Sequence, residues 1–483
     1  MQPPRISRDG SGMTLAARGA MRIRFDRGTI VFDRPDPGID PAQLLGATWD
    51  PEHDVWRLPG ERLSDVRGRL SAMHVRSVDH AGHPAVLEDA WTLPELRWYQ
   101  REAIGAWRDA GDRGVIALPT GSGKTLVAIA AAAELSVATL VLVPTRVLLD
   151  QWIRALAACW PHTIGRIGDG DYSIAPITVT TYASAIRWAP RIGDRFGLVV
   201  VDEAHHVGAW CPAEVLEMLV APARLGLTAT PLPPGTAVDS KIGPLVYALA
   251  VEDLVGDSLA PYKAETIDIL LDRDERERYR TMRGQFNRFY AQTQRENPGA
   301  SWRKVVQIAQ RTTQGRDAMV AWKGSRAVVA YPEGKRAALR QLLARHAGDR
   351  VLVFTSDNAT AYTIARELLV MPITCDIGRA ERELMIERFR SGAAPVLVSS
   401  QVLDEGFDVP DAEVAIIVGG TASERRHVQR IGRVLRPRPG KQAHVYELAA
   451  LASVEMRQVE SRRRGLGEVA LDRSRSTRSE ARP

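Results

Sequence analysis

The sequence has few cysteines. The three that it contains, Cys159, Cys211 and Cys375, lie far apart, and none forms a C-x-x-C pair. This spacing argues against a disulfide framework, a structural zinc site and an iron–sulfur cluster, and it is typical of a chain kept in a reducing cytosol. We therefore expect a cytoplasmic protein.

Long apolar runs are also missing. No stretch approaches the roughly 20 apolar residues that cross a bilayer. Residues 1–20 contain arginines and glycines but no apolar core of a secretory signal, so we expect a flexible leader there and no membrane partner. The hydrophobic content of 45% is nevertheless ample for large cores and argues against global disorder.

Excess positive charge is scarce outside the C-terminal segment. The net charge is +6, and residues 461–483, with seven arginines and three acidic residues, supply +4 of it. The overall charge is therefore a weak sign of a nucleic-acid groove. We expect a basic, disordered tail over 453–483, which either contacts phosphate backbones without sequence preference or is simply solvated.

Short apolar strands alternate with helical patterns over two parts of the chain, 89–261 and 335–452. Such alternation predicts parallel sheets with helices on both faces, and hence two similar α/β lobes. The predicted strands of the first lobe are 114–118, 139–143, 177–180, 198–201 and 224–227. Those of the second are 351–354, 396–399, 414–418 and 444–448.

Two segments differ from the lobes. Residues 21–88 begin with alternating apolar residues on both sides of an Asp-Arg-Gly turn, which predicts a β-hairpin within a small α/β domain. Residues 262–334 contain a charged helical run and are predicted to form a helical insertion. Five aromatic residues of this insertion have a spacing that favours core packing over function: Phe286, Phe289, Tyr290, Trp302 and Trp322.

The strongest motif is a glycine-rich loop that follows a predicted strand and precedes a predicted helix. Its residues are Leu118, Pro119, Thr120, Gly121, Ser122, Gly123, Lys124 and Thr125. A loop of this kind turns backbone N–H groups and the positive end of a helix toward phosphates. Lys124 can reach the β- and γ-phosphates, and the Thr125 hydroxyl can bind Mg²⁺. The sequence therefore predicts an ATP site that uses Mg²⁺.

Two adjacent acids follow the predicted strand 198–201. Asp202, at the carboxyl end of that strand, can hold Mg²⁺ directly or through water. Glu203 can orient and deprotonate the attacking water. Two solvated acids at a strand end would look the same in isolation, but their place downstream of the Lys124 loop favours hydrolysis of ATP.

A basic segment of the second lobe predicts a third catalytic element. On a helix, Gln429, Arg433 and Arg436 share one face and can meet a γ-phosphate. An arginine finger raises the rate by roughly 10³–10⁵ because it neutralises charge in the transition state. We expect ATP between the lobes, whose closure brings in the arginines. Taken alone, the segment also fits a basic, solvent-exposed helix.

Other loops are assigned to nucleotide contacts, coupling and nucleic-acid contacts. Gln100 is placed to read the adenine edge, and Asp408 to hold the ribose hydroxyls. Thr228 and Thr230 are placed to sense the catalytic acids and relay closure, with His205 as a coupling residue, although a plain turn would also fit. Backbone phosphates fix position without reading sequence, and their candidate contacts are Pro144, Thr145, Arg146, Thr181 and Gln401.

In this order the motifs resemble those of superfamily-2 helicases, and more closely those of XPB-type DNA helicases. The closer resemblance rests on residues 25–31, 399–410 and 429–437. It implies an α/β fold with two RecA-like lobes, a helical thumb inserted before the second lobe, and an N-terminal damage-recognition-like domain. It also implies an ATP-dependent 3′–5′ DNA helicase or duplex translocase that acts in repair on double-stranded or forked DNA.

One segment departs from the family pattern. The family commonly carries an Arg-Glu-Asp element, thought to help open DNA, just after the Thr-Ala-Thr motif. This chain instead has Pro-Leu-Pro-Pro-Gly-Thr-Ala over 231–237. Translocation on duplex DNA without robust unwinding is favoured accordingly.

Two further functions remain open at the level of sequence. One hypothesis is the motor subunit of a defence or restriction system that serves a partner nuclease. The other is a DNA-binding scaffold built on a decayed motor. The scaffold hypothesis is disfavoured because the catalytic candidates are all present: Lys124, Asp202, Glu203, Arg433 and Arg436.

Overall fold

A computed structural model describes residues 21–33, 40–42, 46–75, 77–89, 91–250, 252–254, 261–374, 376–400, 412–419 and 442–463. The chain divides into two compact units. Apart from the short loop 119–121, the first ends at residue 249 and the second begins at residue 250. Among the residues just given, no helix is long and apolar enough to cross a membrane.

The first unit begins with a small five-stranded sheet covered by one helix. The predicted hairpin is confirmed: strands β1, Met21–Asp26, and β2, Thr29–Asp33, pair antiparallel. Apolar residues that alternate along both strands, such as Ile23 and Ile30, are buried. The strand order is β3-β4-β2-β1-β5. The remaining elements are β3 Thr48–Asp50, β4 Val55–Pro59, α1 Leu63–Ala72 and β5 Ser77–Asp79.

The rest of the first unit is built on an eight-stranded sheet. Its strands are β6 Arg113–Ala117, β7 Thr139–Val143, β8 Gly165–Gly168, β9 Asp171–Ser173, β10 Ile177–Thr181, β11 Leu198–Val201, β12 Ala223–Thr228 and β13 Leu245–Ala248. The strand order is β13-β6-β12-β11-β7-β10-β8-β9. All neighbours are parallel except β8 and β9. The five predicted strands are all present.

Helices connect these strands and cover the sheet. They are α2 Trp98–Asp109, α3 Lys124–Leu135, α4 Arg146–Ala157, α5 Tyr182–Ile192, α6 Ala213–Glu217 and α7 Ala237–Lys241. Because neighbouring parallel strands end at one edge, the loops that follow β6, β7, β10, β11 and β12 gather there. That edge holds most of the predicted site residues of the first lobe.

The second unit contains a six-stranded, fully parallel sheet with the order β14-β19-β18-β15-β17-β16. Its strands are β14 Tyr262–Ile269, β15 Val351–Phe354, β16 Met371–Ile373, β17 Val396–Ser399, β18 Val414–Ile417 and β19 Ala443–Ala450. The helices around it are α11 Glu333–Arg345, α12 Asn358–Leu368, α13 Arg379–Arg390 and α14 Val454–Arg463. The prediction of a disordered tail from residue 453 is wrong over 454–463, because α14 packs onto the sheet through side chains such as the buried Val459. The α/β class and the four predicted strands are confirmed.

The inserted segment begins later than the sequence suggests. Residues 262–269 were predicted as part of the helical insertion, but they form β14, which pairs with β19 over eight residues. Most of β14 is only half-buried, so it lacks the continuous apolar run of a central strand. The insertion proper has three helices, α8 Arg273–Glu296, α9 Trp302–Arg311 and α10 Thr313–Ala330.

The aromatic residues of this insertion only partly fulfil the core prediction. Phe286 and Phe289 are buried. For Tyr290 and Trp302 the prediction is wrong, because 39% and 46% of their surface is exposed. Trp322 is half-buried, and its ring centroid lies 5.1 Å from that of Trp302. The aromatic residues lie on three different helices, so spacing along the chain could not show how far each ring is covered.

Candidate ATP-binding and catalytic site

The glycine-rich loop connects β6 to α3 in the strand–loop–helix order that the sequence predicts. Gly121 and Gly123 have left-handed backbone conformations, with φ of 88° and 82°, which a residue without Cβ adopts readily. Gly123 is the N-cap of α3. The start of α3 therefore faces the loop, where its N–H groups and positive dipole end suit a phosphate. Within the loop, Pro119 is buried and Thr120 is half-buried.

Two side chains of α2 hold this loop by hydrogen bonds to its backbone. The Tyr99 hydroxyl and the Gln100 amide Nε2 both donate to the Ser122 carbonyl oxygen, at 2.7 and 2.9 Å. The other end of the Gln100 amide, Oε1, accepts from the Arg97 backbone N–H at 2.9 Å. Gln100 is 2% exposed, so the structure uses it to hold the loop, and its contact with adenine stays a prediction.

The lysine at the end of the loop contacts the first residue of the loop. Lys124 Nζ donates to the Leu118 carbonyl oxygen at 3.0 Å, and both Lys124 and Thr125 are half-buried. The Leu118 N–H in turn donates to the Thr228 carbonyl oxygen at 3.0 Å. The start of the loop is thereby hydrogen-bonded to the end of β12, at the predicted coupling residue Thr228.

Asp202 lies at the carboxyl end of β11 and is 6% exposed. Its Oδ1 accepts from the Glu203 N–H at 3.0 Å, and its Oδ2 accepts from the Trp152 indole Nε1 at 2.8 Å. Burial raises the pKa of the Asp202 carboxyl, while the indole N–H and the positive charge of Lys124 act in the opposite direction. Strands β6 and β11 both pair with β12, so the loop that holds Lys124 and the acid Asp202 lie at the same edge of the sheet.

Glu203 has an unusual backbone for a residue with a side chain. Its φ and ψ are 51° and 50°, in the left-handed region, where an L-residue is disfavoured by roughly 1–2 kcal/mol. Such conformations cluster at functional sites. The conformation marks the second acid as a residue under local strain at the edge of the sheet.

His205 lies between the acids and the end of β12. Its Nδ1 is 3.4 Å from Glu203 Oε2 and 3.4 Å from Thr228 Oγ1. The Thr228 hydroxyl also donates to the Thr230 carbonyl oxygen at 3.0 Å. These contacts bring the three predicted coupling residues together beside Glu203.

Two predicted nucleic-acid contacts are helix N-caps at adjacent strand ends. Thr145 Oγ1 accepts from the Leu148 N–H at 3.3 Å at the start of α4. Thr181 Oγ1 accepts from the Ser184 N–H at 3.2 Å at the start of α5. Strands β7 and β10 are parallel neighbours, so the two helix starts lie at the same edge. N-terminal helix turns at this edge suit backbone phosphates.

Two neighbouring candidates differ in their exposure. Arg146 has a 70% exposed side chain that forms an ion pair with Asp169 at 2.6 Å. Pro144 is half-buried before the start of α4. The remaining predicted site residues lie outside the described part of the chain: Gln401, Asp408, Gln429, Arg433 and Arg436.

Sequence reasoning missed two residues that contact Asp202. One is Trp152 on α4, described above. The other is Tyr182, the first residue of α5, whose hydroxyl donates to the Asp202 carbonyl oxygen and lies 3.4 Å from that of Glu203. A usable signal was available, because a buried Trp or Tyr requires a partner for its polar tip. Which partner it finds depends on tertiary contacts.

Three family models match the chain. Residues 23–81 match the "Xeroderma pigmentosum group B helicase damage recognition domain". Residues 93–232 match "Type III restriction enzyme, res subunit", and residues 334–438 match "Helicase conserved C-terminal domain". The three matches follow the order of the small N-terminal sheet and the two larger sheets.

Relatives and a solved structure extend this similarity. The "DNA 3'-5' translocase XPB2" of Sulfurisphaera tokodaii is 32% identical over 453 residues, which cover 91% of this chain and 99% of the relative. The "DNA 3'-5' helicase XPB" of Mycobacterium tuberculosis is 31% identical, over 94% of this chain and 78% of the relative. The Hef helicase domain of Pyrococcus furiosus shares the fold, with a TM-score of 0.52 and 19% identity over 77% of this chain and 98% of that domain. Since the similarity to XPB proteins spans nearly the whole chain, from the damage-recognition model to the C-terminal helicase model, the chain belongs to the XPB family of superfamily-2 helicases.

Proposed function

We propose that this chain is an ATP-dependent 3′–5′ DNA helicase or duplex translocase that acts in DNA repair. One observation carries the proposal. The loop that holds Lys124 and the buried acid Asp202 follow β6 and β11, the two neighbours of β12, at one edge of the parallel sheet, in a chain that aligns over 91% of its length with a DNA translocase. Hydrolysis of ATP by this site would supply the energy for movement on DNA.

The residues of the first lobe divide the chemistry among them. Lys124 and the N–H groups at the start of α3 neutralise phosphate charge. The carboxylate of Asp202 and the hydroxyl of Thr125 are oxygen ligands of the kind Mg²⁺ prefers, and a divalent cation offsets the cost of keeping Asp202 ionised while buried. Bound Mg²⁺ would add positive charge beside the transferred phosphoryl group. Glu203 accepts the proton of the attacking water.

The second lobe completes the proposal. Gln429, Arg433 and Arg436 would meet the γ-phosphate, and Asp408 the ribose. The nucleic acid would be held by its phosphates at the starts of α4 and α5, with Gln401 as the contact from the second lobe. Contacts of this kind carry no sequence information, which suits a motor that moves along DNA of any sequence.

The first test is ATP hydrolysis with single-stranded, double-stranded and forked DNA and with RNA. We expect stimulation by DNA. Lys124→Ala and Glu203→Gln should lower the stimulated rate by at least about 10²-fold, because charge neutralisation and general base catalysis are lost. Glu214→Gln, which removes an exposed acid of α6, is the matched control and should hydrolyse ATP normally. Full activity of Glu203→Gln, or stimulation by RNA alone, would contradict the proposal.

A second test separates translocation from unwinding. The chain has no Arg-Glu-Asp sequence over 231–237, directly after the Thr-Ala-Thr motif. We therefore expect it to displace a third strand from a triplex as it moves along the duplex, but to separate forked strands poorly. Efficient separation of forked strands would show that another element opens DNA.

A role as the motor of a nuclease system is not favoured. The restriction-enzyme model matches residues 93–232 alone, whereas the similarity to XPB proteins covers 91–94% of the chain. Co-purification followed by a cleavage assay on forked DNA tests whether a nuclease nevertheless joins this motor.

A further inference from the structure

We infer that Trp152 and Tyr182 are positioning residues that link phosphate contact at the starts of α4 and α5 to the placement of Asp202. This inference rests on the proposed function, because it concerns how DNA stimulates ATP hydrolysis. It assigns the link to two aromatic hydrogen-bond donors within the first lobe.

Trp152 fixes the carboxylate of Asp202. It lies in the second turn of α4, and only 2% of its surface is exposed. Its indole nitrogen is solely a donor, and it donates to Asp202 Oδ2 at 2.8 Å. A hydrogen bond to an ionised group is about twice as strong as a neutral one. The indole therefore sets the direction in which the other carboxylate oxygen points.

Tyr182 fixes the main chain at the same residue. It follows the N-cap Thr181 directly and is 2% exposed. Strand β7 lies between β10 and β11 in the sheet, so the Tyr182 side chain extends past the end of β7 to the end of β11. There its hydroxyl donates to the Asp202 carbonyl oxygen and lies 3.4 Å from that of Glu203. The residue next to a proposed phosphate contact thus holds the backbone of both acids.

The two contacts make the acid site sensitive to the positions of α4 and α5. Both helices begin at the edge where DNA phosphates are proposed to bind, and both carry a buried side chain that cannot pivot freely. A small shift of either helix is therefore passed to the carboxylate or to the carbonyl of Asp202. DNA and the Mg²⁺-bound nucleotide are then thermodynamically linked. DNA changes the affinity for the Mg²⁺-bound nucleotide by a certain factor, and the Mg²⁺-bound nucleotide changes the affinity for DNA by the same factor.

Two substitutions remove the donors, and two matched controls remove the same groups elsewhere in the lobe. The test variants are Trp152→Phe and Tyr182→Phe. Trp160→Phe is the control for the indole, because Trp160 is 4% exposed and its Nε1 has no hydrogen-bond partner among the described residues. Tyr172→Phe is the control for the hydroxyl, because Tyr172 is 48% exposed.

Binding of a fluorescent, slowly hydrolysed ATP analogue is measured with Mg²⁺ and with EDTA, each with and without duplex DNA. We expect Trp152→Phe to reduce the gain in affinity from Mg²⁺ by about tenfold, as for other partners of metal ligands, while the affinity in EDTA stays unchanged. We expect Tyr182→Phe to reduce the coupling factor between DNA and the Mg²⁺-bound nucleotide by at least about fivefold. Both controls should match the wild type. If the two aromatic residues only stabilised the fold, neither the gain in affinity from Mg²⁺ nor the coupling factor would change.

Two results would overturn the inference, and only one of them would also overturn the proposed function. If DNA stimulates ATP hydrolysis in the wild type but both test variants bind like their controls, the inference is wrong and the proposed function stands. If DNA does not stimulate hydrolysis in the wild type, the proposed function fails and the inference fails with it. Tyr182→Phe removes a single oxygen atom, so it keeps the test decisive even if Trp152→Phe does not fold.

Discussion

Gly123 lies where the phosphate loop meets α3, and its missing side chain matters for two reasons. Its φ of 82° is strained for an L-residue, which carries a Cβ that glycine lacks. A Cβ at this position would also lie 2.6 Å from Gln100 Nε2, which is closer than packed atoms allow. Gln100 cannot retreat without giving up its hydrogen bond to the Ser122 carbonyl oxygen.

We therefore predict that Gly123→Ala weakens ATP binding at least tenfold, because a loop displaced by about 1 Å loses its fit to the phosphates. The free energy of unfolding should also fall by about 1–2 kcal/mol from the backbone strain alone. Gly111→Ala is the control, because Gly111 has a φ of 74° but nothing within 4 Å of the added Cβ. It should lose similar stability and keep normal ATP affinity, measured by titration calorimetry. Equal losses of affinity would show that the contact with Gln100 is unimportant.

At the scale of elements, a buried ion pair joins α11 to α14 in the second unit. Lys335 is fully buried, and its Nζ lies 2.9 and 2.8 Å from Glu455 Oε1 and Oε2. The same ammonium donates to the Val418 carbonyl oxygen at 2.6 Å, just beyond the end of β18. Glu455 Oε2 also accepts from the Ala450 N–H at 2.9 Å, so this one cluster joins two helices to the ends of two strands.

We predict that Lys335→Met lowers the free energy of unfolding of the second unit by about 3–5 kcal/mol, because it leaves a buried carboxylate without a counter-charge. The double substitution Lys335→Met with Glu455→Gln should recover part of this loss. Breaking the exposed pair of Arg390 and Glu387, 3.9 Å apart, should cost no more than about 1 kcal/mol. Guanidinium denaturation measures the free energy of unfolding of all three variants. If Lys335→Met cost as little stability as breaking the exposed pair, the prediction would be wrong.

At the scale of the whole molecule, the small N-terminal sheet is attached to the first lobe through Glu61. Its carboxylate is 2.7 Å from Lys241 Nζ and 3.6 Å from Arg224 Nη1. Burial lowers the pKa of Arg224 to about 10, which still leaves it charged at neutral pH. The Arg224 guanidinium also donates to the carbonyl oxygens of Leu216 and Leu219, at 3.0 and 2.8 Å. The damage-recognition-like sheet and the lobe are thus held together around a buried cation.

We predict that Glu61→Ala lowers the free energy of unfolding by about 2 kcal/mol, because hydrogen bonds to charged groups are lost. Amide hydrogen exchange should speed up over the small sheet, most clearly in β1 and β2, and less in the larger sheet of the same unit. The control is Asp65→Ala, which breaks a nearby ion pair between Asp65 and Arg62. The side chain of Asp65 is 63% exposed. That control should change the exchange rates little. Uniform acceleration across both sheets would argue against a local attachment.

Much of the architecture was predictable because it depends on local pattern. The nine central strands appear in the sequence as short apolar runs, since each is buried on both faces. The loop around Lys124 and the acids Asp202 and Glu203 were predictable because each follows such a run directly. Strand β14 was not, because its residues are half-buried at an edge and its pairing with β19 joins segments far apart in the chain.

The sequence by itself determined which residues carry the proposed chemistry: a glycine-rich loop suited to phosphate, acids at the end of a buried strand, and an XPB-type order of motifs. These features depend on residues that are close together in the chain. Only the tertiary structure decided what holds the acids in place. The contacts of Trp152 and Tyr182 with Asp202 span 50 and 20 residues, and such contacts exist only once parallel strands have brought their ends to one edge of a sheet.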